Sequence, residues 1–155
     1  MEKIECIHYN HDGTNFNIER FDSIKNSKRK RNKPFGGFWC SPINSQFGWE
    51  YWCISENFKL NHLKSKIKIN VIGNIMTINS YKDLKTKMIF KNDQLLDLFH
   101  DYTYIDYEQI SANGIDAIYL SYRGLKQTSF SFPINLWSWS CESVLVLNPF
   151  SIHIV

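Results

Sequence analysis

A lone carboxylate, Glu142, stands at the head of the run Val144-Leu145-Val146-Leu147-Asn148. Alternating Val and Leu without a polar break predict a strand buried on both faces. A carboxylate at the mouth of such a strand is either solvated at the sheet edge, bonded to a neighbouring Trp N–H or Lys, or held in a pocket. In a pocket it would be the chemical centre of the protein. Other side chains also invite chemistry. His8 and His11 sit three apart with Cys6 nearby, which suggests a metal, but the tightly paired ligands of zinc motifs are missing; a structural histidine is the competing reading. Gly36-Gly37 could bring backbone close to a phosphate, without the Lys-Ser/Thr of a P-loop or the third glycine of a dinucleotide fingerprint; a sharp turn into an aromatic strand fits equally. The cluster Lys28-Arg29-Lys30-Arg31 reads as a solvated loop, a nucleic-acid contact, or a grip on a pyrophosphate.

These residues need a scaffold. A chain of 155 residues is most simply one domain, spanning 1–155, with room for a core. Apolar residues make up 43% and aromatics 15%, which excludes a disordered tail. Five Trp, eight Tyr and eleven Phe exceed what a core requires, so some rings are expected on a surface or pocket wall. A net charge of +3 is too mild to imply nucleic-acid binding alone. No apolar run reaches the roughly 18 residues of a membrane helix, and Met1 to Glu5 has no signal-peptide core. A cytoplasmic, reducing setting is expected, with Cys6, Cys40, Cys53 and Cys141 as free thiols.

Ile4 to Tyr9 reads as a first strand and Phe38 to Ser41 as a second. Ser45 is placed to cap a helix to about Phe58, with Trp49, Trp52, Cys53 and Glu56 on one face, more core than ligand platform. Tyr51 points elsewhere and is the better ligand candidate. Lys66 to Ile72 and Ile75 to Asn79 read as strands joined by a tight Gly73-Asn74 turn. Ser80 opens a helix with Leu84 and Met88; Asp93 caps one carrying Leu95, Phe99 and Tyr102; Asp106 opens a third, ending at Asn113-Gly114. Ile115 to Ser121 and Phe130 to Phe132 are strand-like. Trp137 and Trp139 alternate in an extended segment and face one side. Glu142 heads the last long strand, and Ile152 to Val155 is a short apolar tail. The class is α+β, with strands at both ends and helices between.

The order of these pieces resembles the ADP-ribosyltransferase-like fold of small toxin, phage and effector domains. The resemblance rests on His8 in the first strand, Gly36-Gly37-Phe38-Trp39-Cys40-Ser41-Pro42, a Trp-rich helix, Gly114-Ile115-Asp116-Ala117-Ile118, and Glu142-Ser143-Val144-Leu145-Val146-Leu147-Asn148-Pro149. It implies a split β-sandwich with NAD between two sheets, and either transfer of ADP-ribose to a macromolecule or hydrolysis of NAD, although inactive members exist. Glu142 would be the catalytic glutamate at the nicotinamide ribose. His8 would contact the adenosine side, with Arg20 as the alternative. Gly37 and Ser41 would belong to the middle motif, and Trp39 or Tyr51 would stack on nicotinamide.

The chain departs from the pattern at Ser140, where arginine-modifying members carry a second acid, so arginine is a doubtful acceptor. Two other readings stay open. One is a non-enzymatic nucleotide- or protein-binding module of phage or toxin type. The other is a nucleic-acid binder using loop 25–33, with Phe35 and Trp39 for stacking. A serine hydrolase lacks its nucleophile elbow, and a Cys-His hydrolase using Cys40 or Cys141 has no local signature.

Overall fold

The computed structural model describes residues 1–9, 17–27, 32–93 and 102–155. Its strands are β1 (Glu2–Tyr9), β2 (Phe38–Pro42), β3 (Lys66–Gly73), β4 (Ile75–Ile78), β5 (Phe90–Asp93), β6 (Tyr102–Ile105), β7 (Ala117–Leu120), β8 (Ser143–Val146) and β9 (Ile152–Ile154). Its α-helices are α1 (Trp49–Ser55), α2 (Tyr81–Lys87), α3 (Tyr107–Ala112) and α4 (Tyr122–Thr128). The architecture is α+β, built on a seven-stranded mixed sheet in the order β4-β7-β8-β2-β1-β3-β9. β4 and β7 run parallel and the other neighbours antiparallel. β5 and β6 form a separate antiparallel pair.

The alternation in β7 and β8 explains the core. Ile118, Leu120, Leu145 and Leu147 join one apolar cluster with Leu84 of α2 and Tyr107 and Ile110 of α3. Ala117, Val144 and Val146 join a second with Cys6, Phe38, Cys40, Ile69, Val71 and Ile152. Successive side chains of a strand face opposite ways, so a Val-Leu-Val-Leu strand covered on both faces feeds both clusters. Each fully buried aliphatic side chain contributes about 1.5–3 kcal/mol relative to exposure.

Gly73-Asn74 is not the hairpin turn its sequence suggests. β3 pairs with β1 and β9, while β4 pairs with β7. One residue, Asn74, therefore joins strands that four others separate in the sheet. The sheet must curl until its ends approach, and Ile75 of β4 accordingly shares a cluster with Ile69 and Val71 of β3. Asp116 fixes the corner. Its Oδ2 accepts from Asn74 N at 2.8 Å and its Oδ1 from Asn148 Nδ2 at 2.8 Å. Its backbone N donates to Asn74 O at 2.9 Å, and its carbonyl accepts from Leu147 N at 2.8 Å and Asn148 N at 3.1 Å. A Cβ on Gly73 would lie 2.4 Å from Asp116 Oδ2, so the close approach demands glycine.

The expected caps of α2 and α3 hold: Ser80 Oγ accepts from Asp83 N at 3.1 Å and Asp106 Oδ1 from Gln109 N at 3.2 Å. Four local expectations fail. α1 begins at Trp49 rather than after Ser45 and ends at Ser55: its N-cap is Gly48, Ser41 Oγ of β2 accepts from Trp49 N at 3.1 Å, and the Ser45 hydroxyl is turned to Glu142. Phe90–Asp93 and Tyr102–Ile105 are paired strands, so no helix starts at Asp93 or includes Tyr102; Leu95 and Phe99 lie outside the described residues. Phe130 to Phe132 is not a strand: Ser131 Oγ donates to Ile134 O at 2.5 Å, bending the chain, and both rings are exposed. Trp137–Trp139 is a 3₁₀ turn, so Trp137 faces solvent while Trp139 is buried. Strands and helices also alternate through the chain instead of separating into ends and middle. Among the described residues no helix is long and apolar enough to cross a membrane.

Because one carboxylate joins three segments, Asp116→Ala is expected to lower the unfolding free energy by about 2–4 kcal/mol. Urea denaturation checks this; a loss below about 0.5 kcal/mol would mean that the corner holds without it.

Candidate functional site

The site forms where two strands part. β1 and β2 pair at Cys6↔Pro42 and Ile7↔Ser41. Continuing that register would set His8 opposite Cys40 and Tyr9 opposite Trp39, but the ladder stops. The His8 ring spans the gap: Nδ1–H donates to Trp39 O at 2.7 Å, and the ring stacks on Phe38 with centroids 4.0 Å apart. A carbonyl can only accept, so Nδ1 carries the hydrogen in this bond.

The splay opens a cavity of about 340 Å³, within the size class of small-molecule sites, roughly 300–1,000 Å³. His8, Gly37, Trp39 and Ser41, four of the residues singled out in the sequence, all line it. Trp49, Lys33, Lys59, His62, Trp139, Cys141 and Ser143 complete much of the wall. No carboxylate lines it among the described residues, while two lysines and two histidines do, so the wall favours an anionic ligand.

Each wall residue has a local cause. Gly36 and Gly37 both have positive φ, +71° and +70°, and a Cβ on Gly36 would meet Ser23 O at 2.2 Å. The pair makes the sharp entry into β2. Gly37 N donates to Asp22 O at 2.8 Å, so this N–H is already engaged and does not point to a phosphate. Trp39 packs edge-on against Trp139 with centroids 4.8 Å apart, and Lys33 Nζ lies 5.4 Å from its ring centroid. Trp139 Nε1 donates to Asn32 O at 2.9 Å, and Tyr107 OH donates to the same carbonyl. Asn32 Nδ2 reaches Asn135 O at 2.7 Å. This buried knot is the back wall that holds Trp39.

Glu142 does not line the cavity. Its neighbours Cys141 and Ser143 do, and strand alternation turns the residue between them the other way. Glu142 is buried, its Oε1 accepting from Ser45 Oγ at 2.5 Å and its Oε2 from Tyr119 OH at 2.5 Å. Its backbone N donates to Phe47 O at 3.1 Å. The carboxylate thus ties the 43–48 loop, which leads into Trp49, to the sheet. Burial, reinforced by the Glu142 carboxylate, raises the Tyr119 phenol well above its ordinary range, so it remains a donor.

Tyr51 also lies outside the main cavity. It is half exposed on α1 and lines a second hollow with Tyr9 and Glu50. Trp49, read from the sequence as a core residue, takes the place at the main cavity wall. Burial lifts the Cys141 thiol to about 11, leaving little thiolate at neutral pH, which weighs against a cysteine nucleophile there. Cys40 is shifted upward by burial too. His11 and the cluster Lys28, Arg29, Lys30 and Arg31 lie outside the described residues. Among those described, no group of three or more His, Cys, Asp or Glu is placed to hold a metal ion. The contribution of Lys59 and His62 had no signal in the sequence, because the turn after α1 brings them to the cavity.

Burial and then the hydrogen bond to Glu50 Oε2, 3.0 Å long, push the Tyr9 phenol up to about 12. An unfolded tyrosine titrates near 10. The folded form keeps its proton where the unfolded chain has lost it, so this group's stabilisation is present below about pH 10 and is lost as pH rises through about 12. Tyr9→Phe is expected to flatten that part of the pH–stability curve in urea unfolding; an unchanged slope would contradict the assignment. No family model matches the chain, and no curated protein or solved structure gives a significant match.

Proposed function

We propose that this chain is an NAD-binding protein of ADP-ribosyltransferase-like type, with the dinucleotide held in the His8 cavity and mono-ADP-ribosyl transfer to a macromolecule as its activity. One observation carries the reading: His8 of β1, 31 residues before Trp39, meets Gly37, Trp39 and Ser41 of the next strand motif on one cavity between diverging strands. Trp39 and Trp49 offer faces for a flat heterocycle, and Lys33 and Lys59 offer charge for phosphates. β1 and β2 stay joined at two positions within one seven-stranded sheet, so the split sandwich that the resemblance implies rests on their parting beyond Ile7 and Ser41.

A specific observation favours the second reading, a nucleotide-binding module without turnover. The proposed catalytic carboxylate, Glu142, faces Ser45 and Tyr119 and is absent from the cavity wall. Stabilising a ribosyl cation requires the anion beside the reacting carbon, and the carboxylate would have to leave both hydroxyl donors to reach the cavity.

Calorimetric titration with NAD and ADP-ribose, followed by an assay of nicotinamide release, separates these readings. Binding is expected, weakened at least tenfold in Trp39→Ala. Failure of both ligands to bind would overturn the nucleotide reading. Release abolished by Glu142→Gln, with binding retained, would support the transferase; binding without release in the native chain would establish the module instead.

A further inference from the structure

The second hollow has the opposite electrical character to the first. It has a volume of about 290 Å³ and lies between the end of β1, the 42–48 loop and α1. Among the described residues, Glu50 is the only charged side chain on its wall. The main cavity carries Lys33 and Lys59 and, among the described residues, no carboxylate. The two hollows share Tyr9, Ser41 and Trp49, so a single layer of side chains separates a cationic chamber from an anionic one.

We propose that this second hollow receives a basic side chain, lysine or arginine, from a protein partner. Glu50 supplies the counter-charge, and Tyr9 OH, donating to its Oε2 at 3.0 Å, holds the carboxylate toward the hollow. No Lys or Arg of the described residues forms an ion pair with Glu50. Pro42, Ile43 and Ile54 give the apolar wall along which the methylene stem of a long cationic side chain packs. The Tyr51 ring, 52% exposed, and Ile54, 60% exposed, leave an apolar rim on the outer face of α1 for the flanking peptide. An acidic or neutral peptide would meet the same apolar rim without satisfying the carboxylate, so charge selects the occupant. The shared wall makes Trp49 a reporter of occupancy and sets the bound segment beside whatever fills the first cavity.

The test uses the full chain with no nucleotide present, so its outcome is independent of the NAD reading. An acetylated, fluorescein-labelled Gly-Arg-Gly-Lys-Gly peptide is titrated by anisotropy, beside a Gly-Gln-Gly-Gln-Gly control. Saturable binding of the basic peptide is expected, with the control at least tenfold weaker. Glu50→Gln should weaken the basic peptide roughly tenfold, the loss of one charge-assisted contact, and Ile54→Ser should weaken it several-fold while Glu50 remains. Glu50 is exposed on a helix surface, so its substitution leaves the fold intact, and circular dichroism verifies this. Equal affinity for both peptides, an unchanged affinity in Glu50→Gln, or no binding of the basic peptide at all would overturn the proposal.

Discussion

Asp116 is the knot that closes this fold. Its carboxylate and both its backbone polar groups reach Asn74 at the β3–β4 corner and the Leu147-Asn148 pair beyond β8. A sheet that turns through one residue leaves backbone groups that have no strand partner, and buried or half-buried polar groups of that kind must find another. The Asp side chain is short enough to fit under Gly73 and has acceptor sites enough for two donors. The curl that results brings Ile75 of β4 into one apolar cluster with Ile69 and Val71 of β3.

Inside the curled sheet, β1 leaves β2 after two paired positions. There the ladder gives way to a ring nitrogen, and space opens for a ligand. The polar groups around that space are sorted by sign. Bases line it, the Glu142 carboxylate is folded away behind it, and Glu50 stands across the Trp49 wall. The Ser45 and Tyr119 hydroxyls give Glu142 a structural duty, since they fasten the loop that delivers Trp49. That support competes with the catalytic role proposed for the same side chain.

Local pattern exposed much of this in the sequence. The β8 run declared its double burial because alternation of Val and Leu leaves no polar face, and Ser80 and Asp106 declared helix starts because a short side-chain acceptor before a periodic segment has few other uses. Non-local geometry remained hidden. Gly73-Asn74 carries the composition of a hairpin, and only the pairing partners of β3 and β4 reveal a corner. Ser45 looks like a cap until a carboxylate almost a hundred residues away claims its hydroxyl. For the site, His8, Gly37, Trp39 and Ser41 were legible as a group because two short motifs hold them; Lys59 and His62 were not, since nothing in a 3₁₀ turn reveals which way the chain has brought it. Tyr51 was misplaced because helix phase alone cannot say which face meets a cavity.

The chain order of the sheet bears on how the protein is made. β8 lies between β7 and β2 in space but follows both in sequence. While a ribosome is still extending the polypeptide, the early strands have no neighbour to fill the central slot, and the bare edges of β2 and β7 stand ready to recruit any extended segment nearby. From the emergence of β7 until that of β8 the sheet is therefore two unjoined halves, each with an open edge.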